Sequence, residues 1–229
     1  MSDHQTPSLL RLEEVVRTVS PLANRLVFTG SATVPLLVEQ SAGRTEDAGA
    51  PITAISYSSR DRIRPELRNL GLEPAIRRGS AEGWRTLGGQ AFEITAHEDD
   101  EAKYSNPWFA YSLDCTTTAQ LTPELSLRIA GAPAFLAAAW WDVLHSDGSA
   151  NDLADVVTLV YGRPSIVDEI AVAPLDVRIF LAGVASRFLQ HPESDLKILD
   201  ALPRAARLPG AVDRVSERLA QITRLGDDM

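Results

Sequence analysis

Gly30-Ser31 follows the apolar run Leu26-Val27-Phe28-Thr29 and leads into a second apolar stretch, Ala32 to Gln40. A strand that ends in a glycine turn and enters a helix can receive a phosphate. The glycine lets the anion approach the backbone, and the helix start supplies N–H donors and a positive dipole end. The same pattern also makes an ordinary structural turn in which Ser31 caps the helix. A second group that could face phosphate is basic: Arg60, Arg62, Arg64, Arg68, Arg77, Arg78 and Arg85, opposed by Asp61, Glu66, Glu73 and Glu82. Interspersed signs of this kind read first as a solvated helix face. Zinc chemistry has little support, because His4, His97, His145 and His191 are isolated and Cys115 is the single cysteine. No G-x-S-x-G elbow or Cys/His signature points to a hydrolase.

The chain of 229 residues is 45% hydrophobic and carries a formal net charge of −9, with a sequence pI near 4.9. A chain of this size buries enough surface to fold without disulfides or metals. Its acidity argues against a protein whose main task is non-specific nucleic-acid binding, which needs clustered cations. The longest apolar stretch, around Ile129 to Val143, is interrupted by Gly131, Pro133 and Asp142 and is too short to cross a bilayer. The expected setting is cytoplasmic, with no membrane partner.

The elements that must position the turn are legible as periodicities. Leu9, Leu12, Val15, Val16 and Val19 recur at helical spacing until Ser20-Pro21. Arg25 to Thr29 reads as a short buried strand, Ala32 to Gln40 as a helix with Pro35 in its first turn, and Ser41 to Pro51 as a loop. Ile52 to Tyr57 reads as a second strand and Asp61 to Leu70 as a helix ended by Gly71. In Ala91 to Thr95, Phe92 and Ile94 alternate with Glu93 and Thr95, which turns Glu93 away from the strand's apolar side. Leu125, Leu127 and Ile129 alternate in one more strand. From Pro133 onward the pattern is helical, with breaks at Ser146 to Ser149, Gly162-Arg163-Pro164, Pro174, Pro192 and Pro203 to Gly210. Trp140-Trp141 falls in the first of these helices and reads as core plus lobe interface rather than as a base-stacking platform. The expectation is an α/β (α+β) lobe over residues 1–130 and a helical C-terminal lobe over 131–229.

Several segments carry a family resemblance: Gly30-Ser31, Arg44-Thr45-Glu46-Asp47, Phe92-Glu93-Ile94 and Ser105-Asn106-Pro107-Trp108-Phe109. To these add Arg128 to Ala137 and Asn151 to Pro164, the latter ending in Gly-Arg-Pro. Together, over about residues 10 to 190, they resemble the small bacterial nucleotidyltransferases related to abortive-infection and toxin–antitoxin systems. The resemblance implies a nucleotidyltransferase-like mixed sheet flanked by helices. It also implies roles: Asp47 and Glu93 as catalytic residues and Mg²⁺ ligands, with Gly30, Ser31, Arg44, Asp152 and Asp155 toward the nucleotide and its phosphates. Mg²⁺ and an NTP would be the cofactors of an active enzyme, with RNA or protein as acceptor or partner.

Nucleotidyl transfer uses two divalent ions about 3.5 to 4 Å apart, and hard cations take carboxylate oxygens. That is why the family keeps three acids. This chain departs from the pattern twice. Gly49 stands where the family has the second Asp of its DxD pair, and Ala139 where it has a lysine suited to phosphate. Glu93 fills the third acidic position with one methylene more than Asp, and Asp152 and Asp155 share a helix face, where acids near a helix start also serve the dipole alone. The run Glu98-Asp99-Asp100-Glu101 reads as a solvated loop. Two readings follow. One is a non-catalytic nucleotide-binding or regulatory relative, a pseudoenzyme; the other is an active Mg²⁺-dependent toxin-type nucleotidyltransferase.

Overall fold

The computed structural model describes residues 7–39, 52–75, 82–97, 106–145 and 150–226. The chain divides into two compact units, Met1–Thr33 with Glu46–Gly131, and Val34–Thr45 with Ala132–Met229.

The first unit is built on a mixed seven-stranded sheet. Helix α1 (Pro7–Thr18) buries Leu9, Leu12, Val15 and Val16, the apolar stripe its spacing announces. A 3-10 turn, Ser20–Arg25, leads into β1 (Leu26–Thr29), which is buried along its whole length. Then come β2 (Thr53–Ser56), α3 (Arg60–Asn69), β3 (Glu73–Pro74), β4 (Glu82–Arg85), β5 (Ala91–Ala96), α4 (Phe109–Asp114), β6 (Thr116–Thr122) and β7 (Leu125–Ala130). The strand order is β3-β4-β5-β2-β1-β7-β6. β1 runs antiparallel to β2 and parallel to β7, while β2 runs parallel to β5. α3 ends as Gly71 predicts: Gly71 has φ +79°, its N–H donates to the Arg68 carbonyl (2.9 Å) and that of Leu72 to the Leu67 carbonyl (3.1 Å).

β6 was not expected. Thr116-Thr117-Thr118-Ala119-Gln120-Leu121-Thr122 has no apolar alternation because the strand lies at the end of the sheet and is largely solvated. It pairs antiparallel with β7, with a register shift between Gln120 and Thr122.

The second unit is helical: α2 (Val34–Leu37), α5 (Ala132–His145), α6 (Ala150–Gly162), α7 (Ile166–Ala171), α8 (Leu175–Leu189), α9 (Ser194–Ala201) and α10 (Ala211–Arg224). The expected breaks at Gly162-Arg163-Pro164, Pro174, Pro192 and Pro203 to Gly210 fall between helices, and the one at Ser146 to Ser149 lies outside the described residues. α5 buries residues around most of its circumference, from Ala132 to Ala138 and again at Trp140, as the central helix of a packed unit must. Trp140 packs edge-on against Phe188, with ring centroids 5.4 Å apart, as the core reading expects. The helix expected over Ala32 to Gln40 is shorter: a 3-10 turn at Ser31–Thr33, then only Val34–Leu37. Pro35 cannot donate to the Ser31 carbonyl, so the entry is a 3-10 turn, and the helix stops where the Glu39 N–H turns to the Gly162 carbonyl (3.0 Å).

The Gly162-Arg163-Pro164 break is a structural junction. The Arg163 guanidinium donates to the Leu37 carbonyl (2.6 Å) and to Glu169 (2.7 Å), and the Glu39 N–H donates to the Gly162 carbonyl (3.0 Å). Among the described residues no helix is long and apolar enough to cross a membrane.

Candidate functional site

β1 ends at Thr29, and the chain turns at Gly30 with φ +79°. That left-handed conformation favours glycine, since a Cβ would be strained there. The turn is closed by Thr33, whose N–H donates to the Gly30 carbonyl (2.9 Å) and whose hydroxyl donates to the same oxygen (2.8 Å). Ser31 opens the 3-10 turn.

Strand register brings Glu93 to the same end of the sheet. Thr29 pairs with Thr53, Thr53 with Glu93, and Glu93 with Gly83. Side chains in one row of a sheet share a face, and neighbouring strands lie about 4.8 Å apart, so Glu93 stands about 10 Å from the residue preceding the glycine turn. Its backbone is held by donation from the Glu93 N–H to the Ile52 carbonyl (2.9 Å). Phe92 and Ile94 are buried on the opposite face and Glu93 is half-buried, as the alternation predicts, while Thr95, expected on the polar face with Glu93, is buried as well. Sequence reasoning missed Thr53: a lone threonine carries no signal until the β2–β5 register is known. In the row Gly83–Glu93–Thr53–Thr29, the carboxylate has a glycine on one side and a hydroxyl on the other.

The opposite face of the sheet takes up two arginines of the cluster, Arg60 and Arg64, whereas Arg85, in register with Ala91, lies on the Glu93 face. Glu82, in register with Ile94, is paired by Arg60 (3.0 Å) and receives both Nε (3.0 Å) and Nη2 of Arg64. Arg25 likewise pairs with Glu66. Three of the basic side chains around α3 are thus occupied in structural ion pairs, in keeping with the interspersed helix face; Arg77 and Arg78 lie outside the described residues.

The remaining candidates fall elsewhere. Asp152 and Asp155 lie in the second unit, half-buried in the first turns of α6, and Ala139 is half-buried on α5. Arg44, Asp47 and Gly49, and the acidic run at 98–101, lie outside the described residues. Among the described residues no group of three or more His, Cys, Asp or Glu side chains is placed to hold a metal ion. The structure therefore unites Gly30, Ser31 and Glu93 within one unit. A divalent ion at Glu93 would find one carboxylate in the row, where such an ion requires several oxygen ligands.

No protein-family model matches the chain, and no curated protein is significantly similar to it. Solved structures do resemble it. The crystal structure of JHP933 from Helicobacter pylori superposes with a TM-score of 0.52 at 14% identity, covering 96% of this chain and 93% of that one. An antigenic nucleotidyltransferase-like protein from Paracoccidioides brasiliensis superposes with a TM-score of 0.48 at 15% identity, covering 88% of this chain and 96% of that one. At such identities the first likeness is one of fold, and the second is too distant to add to it.

Proposed function

We propose that the protein is a nucleotidyltransferase-like nucleotide-binding protein that acts by binding rather than by transfer, as a regulatory relative of toxin–antitoxin or abortive-infection nucleotidyltransferases. The observation that carries this reading is the row Gly83–Glu93–Thr53–Thr29 beside the Gly30 turn. The turn offers backbone donors for a phosphate. Two metal ions need shared carboxylates, and Glu93 has a threonine and a glycine as its neighbours. In this reading Glu93 accepts hydrogen bonds from the ligand's sugar hydroxyls while the phosphates lie at Gly30-Ser31.

The test pairs binding with transfer. Each NTP is added to the purified protein with and without EDTA and the thermal midpoint is read. In parallel, tRNA and protein are weighed by mass spectrometry after incubation with Mg²⁺. The expected result is NTP-dependent stabilisation that survives EDTA and no added nucleotide mass. Mass addition that disappears in Asp47→Ala and Glu93→Ala would establish the active Mg²⁺-dependent enzyme instead. No stabilisation by any NTP would remove the binding reading.

A further inference from the structure

Helix α8 buries Val177, Leu181, Ala182, Val184 and Ala185 against α10 and α5. Its other side carries Leu175, 46% exposed, Ile179, 43% exposed, and the exposed residues Asp176, Gly183 and Arg187. At 100° per residue these five form one stripe, with Asp176 and Arg187 on the same flank. Gly183 is the anomaly. A glycine inside a helix weakens it relative to alanine, yet a Cβ built at Gly183 meets nothing within 4 Å. The chain's own packing does not call for the missing side chain.

We propose that this stripe docks, antiparallel, on the same stripe of a second copy of the chain. Ile179 and Gly183 are placed symmetrically about position 181. A two-fold axis there seats Ile179 of each copy over Gly183 of the other, in the space the absent side chain leaves. The same axis brings Asp176 of one copy beside Arg187 of the second, and Arg187 beside Asp176. The stripe is complementary to itself in shape and in charge, as a two-fold interface must be. The apolar contact of Leu175 and Ile179 drives association, and the exposed ion pairs set orientation more than strength. One helix pair makes a small interface, so the dimer is weak and concentration-dependent.

Sedimentation velocity of the full chain over a range of concentrations tests this. The wild type is expected to shift toward the dimer as concentration rises, and Ile179→Lys to stay monomeric with an unchanged circular dichroism spectrum. Asp176→Arg alone and Arg187→Asp alone each place like charges together and are expected to be monomeric; an equimolar mixture of the two restores opposite charges at both ends and is expected to dimerise. A wild type that is monomeric throughout overturns the proposal. So does an Ile179→Lys variant that dimerises like the wild type, or a mixture that associates no better than its components.

Discussion

Thr53 stands directly beside Glu93 in the parallel β2–β5 pair, on the face of the sheet that also carries Thr29. A hydroxyl at this place gives Glu93 a neutral neighbour at the spacing where a second acid would share a cation with it. Thr53→Asp should therefore bind Mn²⁺ at least about tenfold more tightly than the wild type. Isothermal titration checks this, and unchanged affinity would mean that the two side chains do not converge.

Gly131 lies against the turn after α4: its N–H donates to the Cys115 carbonyl (2.7 Å). A Cβ there would come within 2.8 Å of the Cys115 sulfur and 3.1 Å of its carbonyl oxygen. Gly131→Ala is expected to cost about 1–3 kcal/mol in denaturant unfolding. Cys115→Ala in the same chain should recover only part of the loss, because the carbonyl contact remains.

Glu66 is held below the usual carboxylate range, chiefly by the hydrogen bond from Arg25 (2.9 Å), with charge attraction adding and desolvation opposing. A depressed carboxylate contributes stability that is fully present above its unfolded pKa and lost as pH falls through the folded one. The stability gap between wild type and Glu66→Gln should thus be present at neutral pH and close in acid below the usual carboxylate range. A gap that widens in acid would contradict the assignment; the pair is only half-buried at the surface, so the gap is small.

Gly183→Ala should stabilise the folded monomer by about 0.5–1 kcal/mol, since the helix gains propensity and the methyl meets no neighbour. Thermal unfolding in dilute solution reads this. At high concentration the same methyl occupies the place of Ile179 from the second copy, so association should weaken while the monomer is strengthened.

Much of the first unit could be read from residues in sequence. Leu26 to Thr29 announces a buried strand by composition, Glu93 by alternation, and Leu125 to Ala130 by the same period. β4 escaped notice because Glu82-Gly83-Trp84-Arg85 is too short to show a period inside an arginine-rich stretch, and β6 because a solvated edge strand needs no apolar side. The site was half legible. Gly30 declares its own conformation, and Glu93 its face. Thr53 gains significance only from a register set by hydrogen bonds between strands distant in sequence. Arg163 shows the reverse: the most distinctive motif, Gly-Arg-Pro, is occupied in tying α2 to α6 and α7.

β6 closes one end of the sheet with seven residues and no charge among them. Edge strands are commonly guarded by lysine, proline or a cover, because an open ladder is a template for another chain. Here the pairing steps from Gln120–Ser126 to Thr122–Leu125, with Leu121 extra, and such a bulge bends and twists the strand. Among the described residues, the irregularity at Leu121 thus protects this edge by shape rather than by charge, and removing Leu121 would straighten it.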